Sequence, residues 1–263
     1  MGNPAGSFIW YELMTSDADA AMAFYGAVVG WAISPRVIGA EPDYRHITRR
    51  DGGHNGGVLQ ITPEMEARGV MPAWFPYLSV TDVDQAVKEI VADGGHKVME
   101  MTIPEGHIAL VSDPQSVPFY VMAPVPPADR PDAASDVFSP TEPQHVRWNE
   151  LASPNLAAAR SFYSRHFGFA FNNSMPMGPL GDYCFIEHHG QVLGAIMQQP
   201  EGSGPALWLP YIGVPSIAVA KAALESHGGT VLAGPMEVPG GDWIVVATDP
   251  QGARFGLVGP KGE

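Results

Sequence analysis

FIWYELMTSDADAAMAFYGAVVGW, residues 8–31, returns in worn form as VRWNELASPNLAAARSFYSRHFGF at residues 146–169. Trp10, Glu12, Leu13, Phe24, Tyr25 and Gly30 align with Trp148, Glu150, Leu151, Phe162, Tyr163 and Gly168 at a constant offset. The correspondence resumes downstream in the same order. AWFPYLSV is echoed by LWLPYIGV, DGGHKV by HGGTVL, and SDPQSVPFYVMAP by TDPQGARFGLVGP. Ordered repetition over this length means a duplicated domain. Residues 123–144, APVPPADRPDAASDVFSPTEPQ, are rich in Pro, Asp, Ser and Ala and read as an exposed linker. The expected domains are therefore residues 1–124 and 146–263, joined by 125–145.

Each half divides again. SFIWYELMT has strand character, and Ser16 or Asp17 then caps a helix whose apolar face is Ala20, Phe24, Ala27 and Val28. Gly30 stops that helix, and YRHITRR and GGVLQIT follow as short strands before a polar connection over 63–73. PYLSV then starts the order afresh: Asp82 caps a second helix, and HKVMEMT, HIALVS and PFYVMA are three strands. Asp113-Pro114-Gln115-Ser116 and Asp249-Pro250-Gln251-Gly252 turn the last strand pair of each half. The chain is thus α+β, with four βαβββ modules.

Composition narrows the function classes. Hydrophobic residues are 45% of the 263, enough for well-buried cores, and charged residues are 16% with a net charge of −14. An acidic chain without a Lys/Arg run has no electrostatic footprint for nucleic acid or an anionic membrane. No apolar run approaches the ~18 residues of a membrane span, and the start MGNPAGSF lacks the basic-then-apolar pattern of a signal peptide. Cys184 is the only cysteine, which excludes an internal disulfide and fits a cytoplasmic setting. A homo-oligomer is compatible with all of this.

The module order, the D…A…FY…G helix signature and the DPxG hairpin resemble the vicinal oxygen chelate superfamily, which includes glyoxalase I, bleomycin-resistance proteins and extradiol dioxygenases. The resemblance covers both halves and implies two glyoxalase-like domains with cupped mixed sheets, each cup holding a ligand. Metal-dependent members place His or Gln early in the first strand of a module and Glu late in its last strand, where they hold a divalent cation. Carried over, the first-strand positions are Trp10, Phe75, Trp148 and Leu209, and the late positions are Tyr120 and Gly256. None is a divalent-metal ligand, so no metal is expected there. The nine histidines are scattered and read as surface or capping residues. His107 alone opens a strand where it could reach a cup mouth.

Glu12 and Glu150 are the candidate catalytic residues. Period-two alternation sets each on the face of its neighbouring tryptophan. A carboxylate on an apolar inner face requires a partner: a ligand, a base, or a structural cation such as Arg254 or Arg147. The expected ligand contacts are Trp10, Tyr44, Phe75, Tyr120, His107, Trp148, Tyr183, Leu209 and Arg254. Gly256, standing where the other half has Tyr120, is expected to leave the second cup roomier. The reading is a tandem glyoxalase-fold protein that sequesters or transforms a small, partly aromatic molecule, with no cofactor. The alternative is a metal-dependent lyase, isomerase or dioxygenase.

Overall fold

The computed structural model describes residues 2–263. The first module is β1 (Phe8–Thr15), α1 (Ala18–Val28), β2 (Ala32–Ile33), β3 (Tyr44–Thr48) and β4 (His54–Gln60). A short helix α2 (Pro63–Ala67) follows. The second module is β5 (Ala73–Ser79), α3 (Val83–Ala92), β6 (His96–Ile103), β7 (Gly106–Ser112) and β8 (Pro118–Pro124). The third is β9 (Val146–Ser153), α4 (Leu156–Phe167), β10 (Ser174–Pro176), β11 (Asp182–His188) and β12 (Gln191–Gln198). The fourth is β13 (Trp208–Gly213), α5 (Ile217–Ser226), β14 (Thr230–Glu237), β15 (Trp243–Thr248) and β16 (Arg254–Gly259). Two eight-stranded mixed sheets result, in the orders β2-β3-β4-β1-β5-β8-β7-β6 and β10-β11-β12-β9-β13-β16-β15-β14. No helix among the described residues is long and apolar enough to cross a membrane.

Each helix start follows from its cap. Asp17, Asp82, Asn155 and Ser216 accept the backbone N–H three residues on, at 2.9, 2.9, 3.0 and 3.2 Å. The ends differ: Gly168 closes α4 in the left-handed region at φ 68°, whereas α1 ends at Val29 and Gly30 turns the chain at φ 81°. The polar connection after β4 is more ordered than its composition suggests. Thr62 caps α2 and Pro63 occupies its first turn, where no amide donor is needed.

The chain forms two compact units, and each takes one module from either half. Met1–Trp10, Phe75–Ser135 and Trp148–Trp208 make one, and Tyr11–Trp74, Asp136–Arg147 and Leu209–Glu263 the other. In the first, α3 packs on α4; in the second, α1 packs on α5. One buried motif recurs in both. The Tyr163 hydroxyl donates to Asp113 Oδ2 at 3.4 Å and accepts from Trp208 Nε1 at 3.2 Å. The Tyr25 hydroxyl donates to Asp249 Oδ2 at 3.1 Å and accepts from Trp74 Nε1 at 3.0 Å. These aspartates open the DPxx turns, and their other oxygen accepts two turn amides each. The turn of one half thus locks the helix of the other. The linker's first part, 125–134, is largely exposed. Its distal part docks: Val137 is buried, and Gln144 donates to the carbonyls of Val29 and Gly30 and accepts from the Arg50 amide.

Burial raises the carboxyl pKa of Asp113 and Asp249, against the opposing bonds from their turn amides. A carboxyl raised in the fold costs stability when ionised, so its penalty disappears as pH falls from neutrality through the raised value towards the ordinary carboxylate range. Wild type is therefore expected to gain stability relative to Asp113→Asn as pH drops from 7 to about 4. Urea unfolding of both chains across that window checks the sign, and a gap that widens against wild type would contradict it.

Candidate functional site

The third module assembles a polar chain on an aromatic floor. Glu150 lies level with Ala195 on β12, which lies level with Phe185 on β11. Alternation puts Trp148 on that same face, with Leu151, fully buried, on the other. Trp148 Nε1 donates to the Tyr183 hydroxyl at 2.8 Å, and that hydroxyl donates to Glu150 Oε2 at 2.6 Å. The indole can only donate, so the phenol's own proton must point to the carboxylate. The direction of the two bonds makes Glu150 the accepting end of the run. The Trp148 and Tyr183 rings are parallel, 6.4 Å apart and 3° from coplanar orientation. Phe185 meets both edge-on at 6.0 and 5.9 Å. All four side chains are half-buried. A flat molecule laid on these rings could donate a hydroxyl hydrogen bond to a pre-oriented carboxyl group.

Arg147, expected as a structural partner of Glu150, is engaged elsewhere. Its Nη2 bonds Asp242 Oδ2 at 2.7 Å and its Nε bonds the Pro140 carbonyl at 2.9 Å. Alternation along β9 explains this, since Arg147 points away from the Glu150 face. Arg254 is exposed at the start of β16, on the face of Gly256.

The first module is a chemical variant of the third. Glu12 lies level with Gly57, and Gly57 with His46. Trp10 is half-buried and Glu12 buried. The Tyr44 hydroxyl end lies over Gly57 and fills the space a Cβ there would take. In the second module, Tyr77 stacks on Tyr120 at 4.1 Å and 16°, and Phe75 meets Tyr120 edge-on at 6.4 Å. In the fourth, Leu209 and Tyr211 are buried. A Cβ added to Gly256 would fall inside the Tyr211 ring. The expectation of a roomier second cup is therefore wrong at this position: glycine stands there because a neighbouring tyrosine occupies the space.

His107 also departs from expectation. Leu110 lies level with Tyr120, and His107 is three residues away on β7, so its side chain takes the opposite face. Its Nε2 is 3.2 Å from Glu100 Oε1, beside Asp84 in the first turn of α3. It serves the helix side of the sheet.

The family metal positions do not fit a cation. Trp10, Phe75, Tyr120, Trp148 and Leu209 offer rings and methyls, and Gly256 is covered. Two groups elsewhere bring three potential ligands within 4.8 Å: Asp51, Asp136 and His145, and Asp84, Glu100 and His107. In the first, Arg49 already bridges both carboxylates, at 3.2 Å to Asp51 and 2.6 Å to Asp136. In the second, the bond to Glu100 pushes the Asp84 carboxyl up, while Lys97 and then Asp84 hold Glu100 down. Neither group touches a family position. Phe185 and the pairing of His46 with His54 were not legible in the sequence, because both depend on strand register.

Comparison with known proteins agrees with this architecture. Residues 10–122 match the family model of the glyoxalase-like domain. Residues 143–257 match that of the Glyoxalase/Bleomycin resistance protein/Dioxygenase superfamily. CFP32 of Mycobacterium tuberculosis, provisionally named a glyoxylase, is 26% identical over 253 residues, 95% of this chain and 94% of that one. DauV of Streptomyces sp. strain C5, an anthracycline biosynthesis protein, is 29% identical over 134 residues, 46% of this chain and 47% of its own. Among solved structures, the Mn(II)-bound glyoxalase from Novosphingobium aromaticivorans superposes with a TM-score of 0.62 at 18% identity, covering 98% of this chain and 83% of its own.

Proposed function

Because the chain belongs to the glyoxalase, bleomycin-resistance and dioxygenase superfamily as two domains in tandem, we propose that it binds a small, flat, hydroxylated aromatic molecule on the β9–β11–β12 face of its second domain. The domains on this reading are residues 1–124 and 146–263, with 125–145 as connector, and the setting is cytoplasmic. The observation that carries the proposal is the hydrogen-bonded run Trp148–Tyr183–Glu150 on a half-buried aromatic face. Aromatic walls supply area at low entropic cost, and the carboxylate supplies orientation. The ligand class is supported by the kinship with an anthracycline biosynthesis protein. No resident metal at the family positions takes part: orientation comes from Glu150, the hydrogen-bond acceptor for the ligand hydroxyl. Tyr183 is the residue that positions it. The first domain's Trp10, Glu12 and Tyr44 repeat the theme with different neighbours.

The test is a calorimetric titration with 1-naphthol, a flat phenol that does not chelate. Glu150→Gln keeps shape and removes charge. It is expected to weaken binding by about tenfold to a hundredfold, the worth of one charge-assisted bond at roughly 1.5–3 kcal/mol. The melting temperature should stay within a degree or two of wild type (roughly 0.5 kcal/mol). Unchanged affinity together with a large fall in melting temperature would make Glu150 structural and reject the proposal.

A further inference from the structure

We propose that the first domain carries a two-histidine site for a borderline divalent transition metal, formed by His46 and His54 and distinct from the superfamily's metal positions. The two copies of one sheet face match row for row in register and differ in what they carry. In the third module, Glu150, Ala195 and Phe185 form one row across β9, β12 and β11. In the first, Glu12, Gly57 and His46 form the same row across β1, β4 and β3. Both β-hairpins then carry a bulge at the same place, between Ile186 and Glu187 in one and between Ile47 and Thr48 in the other. Beyond the bulge, Glu187 faces Val192 where Thr48 faces His54. Two neighbouring positions thus differ together: Phe185 and Val192 are apolar in one copy, and both are histidine in the other.

The separation of the two imidazoles is compatible with a shared ion. Their ring centroids are 5.5 Å apart with planes at 50°. Two histidines on one tetrahedral ion, each nitrogen about 2.0–2.1 Å from it, have ring centres roughly 5 Å apart. Both side chains are exposed, so an ion can reach them. The Thr48 hydroxyl lies 3.4 Å from His54 Nδ1. A polar partner at one ring nitrogen sets the ring for binding through the other, here Nε2. Tyr44, whose ring centroid is 5.7 Å from that of His46 at 81°, flanks the pair on the Glu12 side. Imidazole favours Ni(II), Cu(II) and Zn(II) over Mg(II) or Ca(II). Two protein donors leave coordination positions for water or for oxygens of a bound molecule. The site is independent of the aromatic-ligand reading, which concerns the other sheet.

The experiment is titration of the tag-free, full-length chain with Ni(II) alone, followed by calorimetry. Wild type is expected to bind one ion per chain. His46→Phe and His54→Val, which install the residues of the other copy, should each weaken binding by about tenfold or more. The double variant should bind none. The reciprocal variant F185H/V192H should bind two. As a check that needs no variant, sub-stoichiometric Ni(II) should broaden the NMR resonances of β3 and β4 first. The proposal is overturned if wild type takes up no Ni(II), if H46F/H54V binds as wild type does, or if broadening begins at His107 or His145.

Discussion

Asp113→Ala is expected to cost the fold about 4 kcal/mol or more, the largest effect of any single polar substitution we foresee. Asp113 is fully buried. It accepts from the amides of Gln115 and Val117 at 2.8 and 2.9 Å and from the Tyr163 hydroxyl at 3.4 Å. Alanine leaves all three donors without this acceptor, two of them in a buried place, and each buried one costs about 1–3 kcal/mol. The loss does not stop at the turn, because Tyr163 belongs to α4 of the other half and also takes the Trp208 indole bond. Asp249→Ala should match it, since Tyr25, Gln251 and Ala253 stand in the same relation to Asp249. Urea denaturation of both variants measures the effect. A cost below about 1 kcal/mol in either would show that the tyrosine lock is dispensable.

The second large effect concerns the late position where metal-dependent relatives carry glutamate. Gly256→Glu would seem to restore a ligand. Its Cβ would instead enter the ring of Tyr211, which lies level with Gly256 across the β13–β16 pair. The ring must move or the strands must part, and the new carboxylate would sit in a buried place. Overpacking costs about 1–3 kcal/mol and an uncompensated buried charge adds to that, so a loss of about 3 kcal/mol or more is expected. Removing the obstruction separates the two causes: Tyr211→Ala together with Gly256→Glu should recover part of the stability. Thermal melts of the single and double variants decide it. A single variant as stable as wild type would mean that Tyr211 does not hold the space.

Much of the architecture was legible from the repeat alone. The caps of the four module helices lie where the pattern puts a polar residue before an apolar stripe, and Gly30 and Gly168 mark helix ends through positive φ. Alternation also placed Glu150 with Trp148, because strand period is a property of the backbone. What the sequence hid is whatever depends on partners far along the chain. Asp113 reads as an ordinary turn aspartate until Tyr163, 50 residues on, is seen to bond it. Gly256 reads as empty space until Tyr211 is placed over it. His107 reads as a cup residue until register with Tyr120 shows it on the opposite face. His46 and His54 read as scattered because a bulged hairpin, not sequence spacing, brings them together.

The proposed aromatic ligand is held by Glu150, Tyr183 and Trp148 without help from a metal at the superfamily's positions. The direct measurement is 1-naphthol binding to the full-length protein by calorimetry, with and without excess EDTA. The account predicts one affinity in both conditions, and weak or absent binding when Trp148 is replaced by alanine. Binding that EDTA abolishes and Mn(II) restores would contradict it.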